Sequence, residues 1–234
     1  MGRVVYQTCT VLRSTPWTED QSILTLLSKE RCLFSALWKR PKRRREGEDL
    51  QPNLFQTFQG AMAFNHEGLH KLRQFEVLML APSQHLDSYG RLNLLSRIFQ
   101  WLLGENQGDP QPFSLWQKHQ HLISNPTEWV DFLADLLFVL GALPDKWECS
   151  QCHQSQGIGT NLHAELVCAD CEQSSSKISS ETLDWLASRH QGQRWLAPIP
   201  PDAKLVGPYL GSFLPEKMWQ DPIISKLLPL LQKS

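Results

Sequence analysis

The sequence lacks any long uninterrupted run of apolar residues. No segment has the roughly 18 consecutive apolar residues that a membrane-spanning helix requires. The first residues also lack a basic start followed by an apolar stretch, so no secretory signal is expected. We therefore expect a cytoplasmic protein without a membrane partner, in which the six cysteines are reduced rather than paired as disulfides.

Sequence signatures of catalysis are also missing. There is no P-loop, no glycine-rich dinucleotide motif and no nucleophile–base constellation, so we do not expect an enzyme. One partial match is the segment 163–165 (HAE) before a Cys-x-x-Cys pair, as in zinc deaminases. Two residues between Glu165 and Cys168 cannot hold the helix and strand that separate these parts in a deaminase. The other two cysteines would also be unexplained, so this interpretation is rejected.

Excess charge of one sign is absent overall but present locally. The chain has 23 Lys and Arg against 24 Asp and Glu, a formal net charge of −1. Residues 1–80 carry 12 cations and 8 anions, hence +4, and residues 81–234 carry 11 and 16, hence −5. This asymmetry predicts a polyanionic partner for the first part of the chain only.

The first 80 residues have the pattern of short β-strands. Apolar and β-branched residues alternate with polar ones, and turn residues separate several of the segments. In the first segment Val5, Cys9 and Val11 share one face, with Gln7 as a polar exception on it. The predicted strands are 4–12, 22–27, 32–38, 54–64 and 69–80. Five short strands are typical of a small closed barrel of the OB type, although an SH3-like barrel would give a similar pattern.

The rest of the chain is predicted to be helical, with an insertion. Apolar residues recur at three- and four-residue spacing in 86–103, 113–123 and 126–140. Asn125 is a suitable N-cap for the third helix, whose buried face would run from Trp129 to Leu140, and Gly141 should end it. Ser180 is expected to cap a further helix. The sequence thus predicts an α+β multidomain protein with a barrel domain at 1–80 and a helical domain at 81–234.

Four cysteines at 149, 152, 168 and 171 form a C-x2-C-x15-C-x2-C pattern. Each pair can lie on a tight turn, and the 15 intervening residues suffice for a hairpin that brings the pairs together. The polar module at about 145–178 has little apolar mass, so a structural Zn²⁺, one per chain, would supply its order. A site that has lost its metal, or a redox pair, is the alternative. His153 and His163 could replace a thiolate but are expected at the surface, and Cys9 and Cys32 are expected to be buried in strands.

A run of cations follows the third predicted strand. Pro41 prevents continuous strand pairing there, so the run should form a loop that phosphates can neutralise. A solvated loop without a partner, or a localisation signal, would look the same in sequence. Trp17 and Trp38 lie nearby and could stack on bases, although core packing is the simpler role for Trp38. The candidate DNA-binding residues are Arg13, Lys39, Arg40, Lys42, Arg43, Arg44 and Arg45.

Taken together, these segments resemble the bacterial recombination mediator family RecO, over most of the chain. The likeness lies in the order of 10–14 (TVLRS), 24–27 (LTLL), 29–31 (KER), the basic run, 50–52 (LQP) and 140–144 (LGALP) followed at once by the first cysteine pair. Three positions depart from the family pattern. Cys32 and His153 stand where the family usually has glycine, and Trp38-Lys39 replaces a Gly-Ala pair.

The resemblance implies a fold and a function as expectations. It implies an N-terminal OB-fold, a helical domain and an inserted zinc module whose ligands are Cys149, Cys152, Cys168 and Cys171. It implies binding of single- and double-stranded DNA, annealing of complementary strands, and assistance in loading RecA onto DNA coated with single-strand-binding protein (SSB). The implied partners are RecR and the C-terminal tail of SSB, with RecA and RecF indirectly, in a nucleoid-associated bacterial protein. The competing hypothesis is a zinc-containing interaction adaptor with no role in annealing.

Overall fold

A computed structural model gives the fold of the protein. It describes residues 4–41, 52–65, 69–81, 86–104, 109–120, 126–143, 146–161, 163–172, 176–189, 199–222 and 224–227. The chain forms two compact units, 1–121 and 122–234. The predicted domain boundary at residue 80 falls inside the first unit, between its strands and its helices. The division into a barrel domain and a helical domain stays a prediction. Strands and helices in separate parts of the chain confirm the α+β class.

The first unit is built around a closed five-stranded barrel. The strands are β1 (Val4–Thr18), β2 (Gln21–Ser28), β3 (Cys32–Lys39), β4 (Thr57–Ala63) and β5 (His70–Met79). Their order around the barrel is β1-β2-β3-β5-β4, and β4 pairs back onto β1. Neighbours are antiparallel except β3 and β5, which run parallel. All five predicted strands are present, and the closed order is consistent with an OB-type barrel.

Strand β1 is longer than predicted and contains a proline. It continues to Thr18, with register shifts against β2 between Val11 and Arg13 and between Pro16 and Thr18. Strand β4 pairs with β1 only from Val4 to Thr10, so one edge of the later part of β1 has no partner strand among the described residues. A proline is tolerated at such an edge because no ladder hydrogen bond is lost.

The core of the barrel is apolar, and the polar residue Gln7 is buried with it. Cys9, Val11, Leu24, Leu26, Phe34, Ala36, Trp38, Phe58, Met62 and Leu72 form the core. Gln7 is also buried, and its side-chain Oε1 accepts a hydrogen bond from Ser28 Oγ at 3.3 Å. The polar exception on the apolar face of β1 is therefore satisfied rather than exposed. Cys9 and Cys32 are both buried, as predicted.

Two helices pack against the barrel within the first unit: α1 (Leu86–Leu102) and α2 (Gln111–His119). The contact centres on Phe55, which is buried with a positive φ of 63° and stacks on Trp116 at 6.0 Å. The Phe55 amide donates to the Val11 carbonyl, and Ser96 Oγ of α1 donates to the Leu12 carbonyl. Both acceptors lie at the β1 bulge, where a bulged strand leaves backbone groups unpaired.

The second unit combines helices with a small sheet. Its elements are α3 (Pro126–Val139), β6 (Ile158–Thr160), β7 (Leu166–Cys168), β8 (Ser176–Lys177), α4 (Ser180–Ala187), α5 (Gly207–Ser212), α6 (Glu216–Trp219) and 3-10 turns at Ala203–Val206 and Ile224–Leu227. The sheet order is β7-β6-β8. Helix α3 ends at Gly141, whose φ is +66°, as the sequence predicts. Leu140 is 37% exposed, so the predicted buried face ends one turn earlier, and the predicted cap Asn125 lies outside the described residues.

The predicted N-cap of α4, Ser180, is wrong by one residue, since the cap is Ser179. Ser179 Oγ accepts from the Thr182 amide at 3.1 Å, while its own amide and hydroxyl both donate to Asp202. Asp202 thus fixes the extended backbone that an N-cap requires, which explains why the helix begins one residue earlier than the predicted cap implied.

A buried ion cluster joins α4 to α3. Arg189 is fully buried and pairs with Asp131, while its Nε lies 3.4 Å from Asp135 Oδ1. Its guanidinium also lies 4.0 Å above the Trp185 ring. Breaking such a pair leaves an uncompensated charge in the core, so this cluster fixes the position of the segment that follows the cysteine module.

None of the described helices is both long and apolar enough to cross a membrane.

Candidate functional site

The first cysteine pair lies on a tight turn before β6. The Cys149 amide donates to the Gln154 carbonyl at 2.9 Å, and the His153 amide donates to the Cys149 carbonyl at 3.0 Å. The Ser150 amide donates to Leu166 of β7 at 2.8 Å, which ties this turn to the hairpin. Backbone hydrogen bonds therefore hold both thiols of the pair toward the same side.

The second pair lies on a turn at the end of the β6–β7 hairpin. Cys168 is the last residue of β7 and pairs with Ile158 of β6. The amides of Cys171 and Glu172 both donate to the Cys168 carbonyl, at 3.1 and 3.0 Å. The hairpin thus returns the second turn to the first, as the 15-residue spacing predicts.

The structure brings the four thiols together. The sulfurs of Cys149, Cys152, Cys168 and Cys171 all lie within 4.8 Å of one another, and those of Cys152 and Cys168 are 3.5 Å apart. Four thiolates around a Zn²⁺ at about 2.3 Å have sulfur–sulfur separations of roughly 3.8 Å. The cluster therefore has the size and donor set of a tetrahedral site for a soft metal ion, and can bind one. All four corners come from protein, which leaves no position for water or substrate.

The cysteine turns also change the acidity of the thiols. Burial acts to raise the pKa of Cys149, but backbone hydrogen bonds from Cys152, Cys168 and Gln151 outweigh it and lower that pKa to about 6. For Cys171, its thiol neighbours Cys152 and Cys168 raise the pKa well above its ordinary value. Several negative sulfurs cannot coexist at this distance without a cation to neutralise them.

The histidines of the module lie at its surface, as predicted. His153 and His163 are exposed, and His153 Nδ1 lies 3.1 Å from Glu148 Oε1. Glu165 accepts a hydrogen bond from Asn161 Nδ2 at 3.3 Å and holds the hairpin turn. Neither histidine is part of the thiol cluster.

The module depends on the rest of its unit for burial. Ile158, Leu166, Val167 and Ile178 are buried, although the sequence predicted little apolar mass here. The 3-10 turn Ala203–Val206 packs against β6, and Thr160 Oγ1 donates to the Leu205 carbonyl at 2.9 Å. The sheet is therefore anchored on the second unit at one side and on the cysteine turns at the other.

Two departures from the family pattern have an unusual backbone conformation. Cys32 has a φ of 60° and His153 a φ of 61°. This left-handed region is accessible to glycine at no cost and to other residues at about 1–2 kcal/mol. Cys32 and His153 therefore have the backbone conformation that glycine adopts most readily.

Only some of the predicted DNA-binding residues lie in the described part of the chain. Arg13, Lys39 and Arg40 are exposed on the barrel. Lys39 Nζ lies 3.7 Å from Asp20 Oδ2, and the Arg40 amide donates to the Asp20 carbonyl at 2.8 Å. The remaining candidates, Lys42, Arg43, Arg44 and Arg45, lie outside the described residues.

The two candidate stacking tryptophans have different environments. Trp38 is 5% exposed, lies inside the barrel and contacts the edge of Phe75 with ring centroids 5.3 Å apart. Trp17 is 64% exposed and occupies the register shift next to the β1–β2 turn. Trp38 is therefore a core residue, as the simpler prediction had it, and only Trp17 is available to a ligand.

Two exposed cations near Lys39 were absent from the sequence-based candidates. Lys71 and Arg73 are exposed on β5, which lies beside β3 in the barrel. Thirty residues lie between Arg40 and Lys71, and the parallel β3–β5 pairing brings their strands together. No local pattern in the sequence indicates this neighbourhood.

Neither a comparison with models of protein families nor a search of curated proteins gives a match to this chain.

Proposed function

We propose that the protein binds DNA through the cationic end of its barrel and anneals complementary strands as a RecO-type recombination mediator in DNA repair. The observation that carries the proposal is the placement of Lys39 and Arg40 at the end of β3, where the chain runs directly into four further cations. Exposed Trp17 lies on the hairpin that Arg40 contacts through Asp20.

Phosphate binding follows from this charge arrangement. Six cations in seven residues repel one another, and their binding to DNA is favourable because it releases the counterions condensed on the phosphates. This attraction is independent of sequence and weakens steeply with salt. An exposed indole such as Trp17 can stack on an unpaired base, and such stacking is worth about 1–3 kcal/mol. The bases of duplex DNA are not accessible to this stacking unless the duplex opens.

Annealing requires neutralisation of two phosphate backbones with the base edges left free. Contacts from Arg13 and the cationic run to phosphate carry no base information, so both strands can bind and then pair. No step of this process needs a nucleophile or a general base. The absence of a catalytic signature in the sequence is compatible with such a role.

The finer fold assignment belongs to the same proposal. A closed five-stranded barrel with the order β1-β2-β3-β5-β4 supports an OB-fold. The positive φ values of Cys32 and His153 support the RecO resemblance, because two positions where that family has glycine have the backbone of glycine. These two observations are independent of the charge argument.

We further propose that the thiol cluster holds a structural Zn²⁺. Cys149, Cys152, Cys168 and Cys171 would be its ligands, and the ion would supply charge neutralisation and a fixed link between the two turns. The backbone hydrogen bonds of both turns already orient the sulfurs. The proposed role is to stabilise the module, not to activate a substrate.

The partners follow from the resemblance alone. RecR and the C-terminal tail of SSB are the proposed protein partners, with RecA and RecF reached indirectly. Their binding would couple annealing and RecA loading to DNA coated with SSB, in the cytoplasm of a bacterial cell.

Fluorescence anisotropy with a labelled single-stranded oligonucleotide tests the proposal. The unmodified chain should bind with an affinity that falls steeply with salt, and Arg43→Ala/Arg44→Ala/Arg45→Ala should reduce the salt slope by about 2, at roughly 0.7 per phosphate. The matched control is Lys177→Ala/Lys204→Ala/Lys217→Ala, which removes the same charge from exposed positions of the second unit. Equal binding by the two triple variants would contradict the assignment of the basic run.

A further inference from the structure

We infer that Lys71 and Arg73 of β5 are additional phosphate contacts, which form a cationic strip with Lys39. The strip is defined as these three residues. The inference rests on the proposed nucleic-acid function. It specifies a second path for the phosphate backbone of the nucleic acid, away from the basic run and across the outside of the barrel.

The parallel pairing of β3 with β5 places the three residues together. Leu37 pairs with Lys71 and Trp38 with Leu72, which is the last pair of this ladder, and Lys39 and Arg73 are the residues that follow that pair on the two strands. Neighbouring strands lie about 4.8 Å apart, and alternate residues of a strand about 6.6 Å apart. Three cations therefore occupy adjacent positions on two strands, close enough to contact consecutive phosphates.

Arg73 lies at a β-bulge on the outer face of β5. Leu72 pairs with Met62 of β4, but Gln74 pairs with Ala61, so Arg73 is the extra residue. Leu72 lies in the barrel core, and Phe75 packs against that core. Arg73 and Gln74 both lie exposed between these two inward residues. Alternation from the inward Leu72 turns Arg73 outward, and the bulge keeps Gln74 on the outer face as well.

The electrostatic surroundings leave the β5 cations available. Lys39 has Asp20 within ion-pair distance, whereas no carboxylate of the described residues forms an ion pair with Lys71 or Arg73. Further along β5, Glu76 is exposed and would repel phosphate, so the strip ends before it. The free cations thus lie at the β5 end nearest the basic run.

Polar side chains extend the same outer surface across the barrel. The register places Thr15, Ile23, Leu37 and Lys71 in one row. In the neighbouring row Arg13 pairs with Thr25, and Thr25 with Ser35. Hydroxyl groups of threonine and serine are frequent phosphate donors. The row that contains Lys71 is apolar at Ile23 and Leu37, and the next row places the hydroxyl groups of Thr25 and Ser35 beside Arg13.

The test compares the double variant Lys71→Gln/Arg73→Gln with Lys204→Gln/Lys217→Gln, which removes the same charge from exposed positions of the second unit. Both are titrated into a labelled single-stranded oligo-dT by anisotropy at several salt concentrations. Loss of two contacts should reduce the salt slope by about 1.4, equivalent to roughly 25-fold weaker binding at 0.1 M salt, and the control should bind as the unmodified chain does. The charge-retaining variant Lys71→Arg/Arg73→Lys should have the salt slope of the unmodified chain. A purely structural role of the two side chains would not predict that keeping their charge keeps the slope.

The outcomes separate the inference from the function on which it rests. If the unmodified chain binds but the glutamine variant keeps its slope, the β5 strip is overturned and the basic run remains. If the unmodified chain does not bind DNA at all, both are overturned. Should the double variant fold poorly in a thermal melt, the single variants Lys71→Gln and Arg73→Gln are titrated instead, and unchanged slopes for both contradict the strip.

Discussion

At the scale of single residues, backbone conformation carries information that residue type alone does not. His153 and Cys32 occupy the left-handed region, although neither is a glycine. His153 is exposed, so its strain is compensated only by the turn that holds the cysteines and by Glu148 nearby. A residue with a positive φ at an exposed turn is a place where a substitution can increase stability.

His153→Gly is therefore expected to stabilise the protein by about 1 kcal/mol, because relief of the left-handed strain outweighs the loss of an exposed hydrogen bond to Glu148. Urea unfolding of the full chain measures the change. Gln151→Gly is the matched control, since Gln151 lies in the same turn without a positive φ, and it should destabilise by about 0.5–1 kcal/mol. A destabilised His153→Gly variant would contradict the strain argument.

The four cysteines should carry metal as a set. Protein purified without chelator is expected to contain about one zinc per chain by elemental analysis, and Cys149→Ser should lose it because three thiolates and a hydroxyl bind the ion less tightly. Cys32→Gly removes a cysteine outside the cluster and should keep the metal. A stably folded, metal-free preparation would contradict the structural role of the ion.

The cysteine spacing is enough to predict that the thiols meet, because the pattern specifies two turns and a hairpin between them. It does not predict Ser150 bonding to β7 or the packing of β6 on Ala203–Val206, since those contacts join segments far apart in sequence. The histidines were correctly placed at the surface because four thiolates already complete a tetrahedron.

At the scale of elements, two glycines show how surroundings determine the effect of the same substitution. Gly60 lies in β4, where an added Cβ would come 2.7 Å from Phe58 Cε2 and 2.8 Å from Leu72 Cδ1. Gly90 lies in α1, where an added Cβ would meet nothing within 4 Å. The barrel interior has no room for a side chain at Gly60, whereas the surface of the helix has room for one at Gly90.

Gly60→Ala should accordingly destabilise the protein by about 1–3 kcal/mol through overpacking of the barrel core. Gly90→Ala should stabilise it by about 1 kcal/mol through helix propensity. Paired urea unfolding curves check both signs at once. An unchanged or increased stability of Gly60→Ala would show that the barrel interior is looser than these distances indicate.

The Arg189 cluster makes α4 dependent on α3. Arg189→Met should cost about 3–5 kcal/mol, because it leaves Asp131 and Asp135 as buried carboxylates without their cation. Chemical denaturation followed by tryptophan fluorescence measures the loss. The triple variant Asp131→Leu/Asp135→Leu/Arg189→Met is the control and should recover most of the stability, since no buried charge remains. Equal losses in both variants would instead indicate a packing role for Arg189.

The local sequence pattern predicts most of the helices and strands, but it does not predict where they begin and end. Strand alternation predicts all five barrel strands, but the prediction ends β1 at residue 12. The continuation to Thr18 depends on pairing with β2 and on the free edge that accommodates Pro16. Likewise the N-cap of α4 shifts to Ser179 because Asp202, which is 23 residues away, fixes it. Each difference arises from a contact between distant parts of the chain.

At the scale of the whole molecule, the parallel β3–β5 pairing is the feature with most consequence for function. It closes the barrel and brings Lys71 and Arg73 beside the end of the strand that leads into the basic run. Charge asymmetry in the sequence indicated a polyanionic partner for the first 80 residues. Which of those cations share a surface could not be predicted, because strand order in a closed barrel is set by pairing and not by sequence proximity.

The proposed function makes two claims, that the protein binds DNA through its cations and that it anneals complementary strands. Different experiments test the two claims. A zinc-containing adaptor would also fold around the thiol cluster, and its cationic run would be incidental. Only a protein that neutralises two strands at once accelerates their pairing, because each strand otherwise repels the other. Binding alone therefore does not distinguish a mediator from an adaptor.

Strand annealing measured with complementary labelled oligonucleotides coated with SSB tests the central claim most directly. The unmodified chain should accelerate duplex formation, and Arg43→Ala/Arg44→Ala/Arg45→Ala should lose most of that acceleration, while Lys177→Ala/Lys204→Ala/Lys217→Ala keeps it. An unmodified chain that binds SSB-coated DNA yet leaves the rate of annealing unchanged would contradict the account.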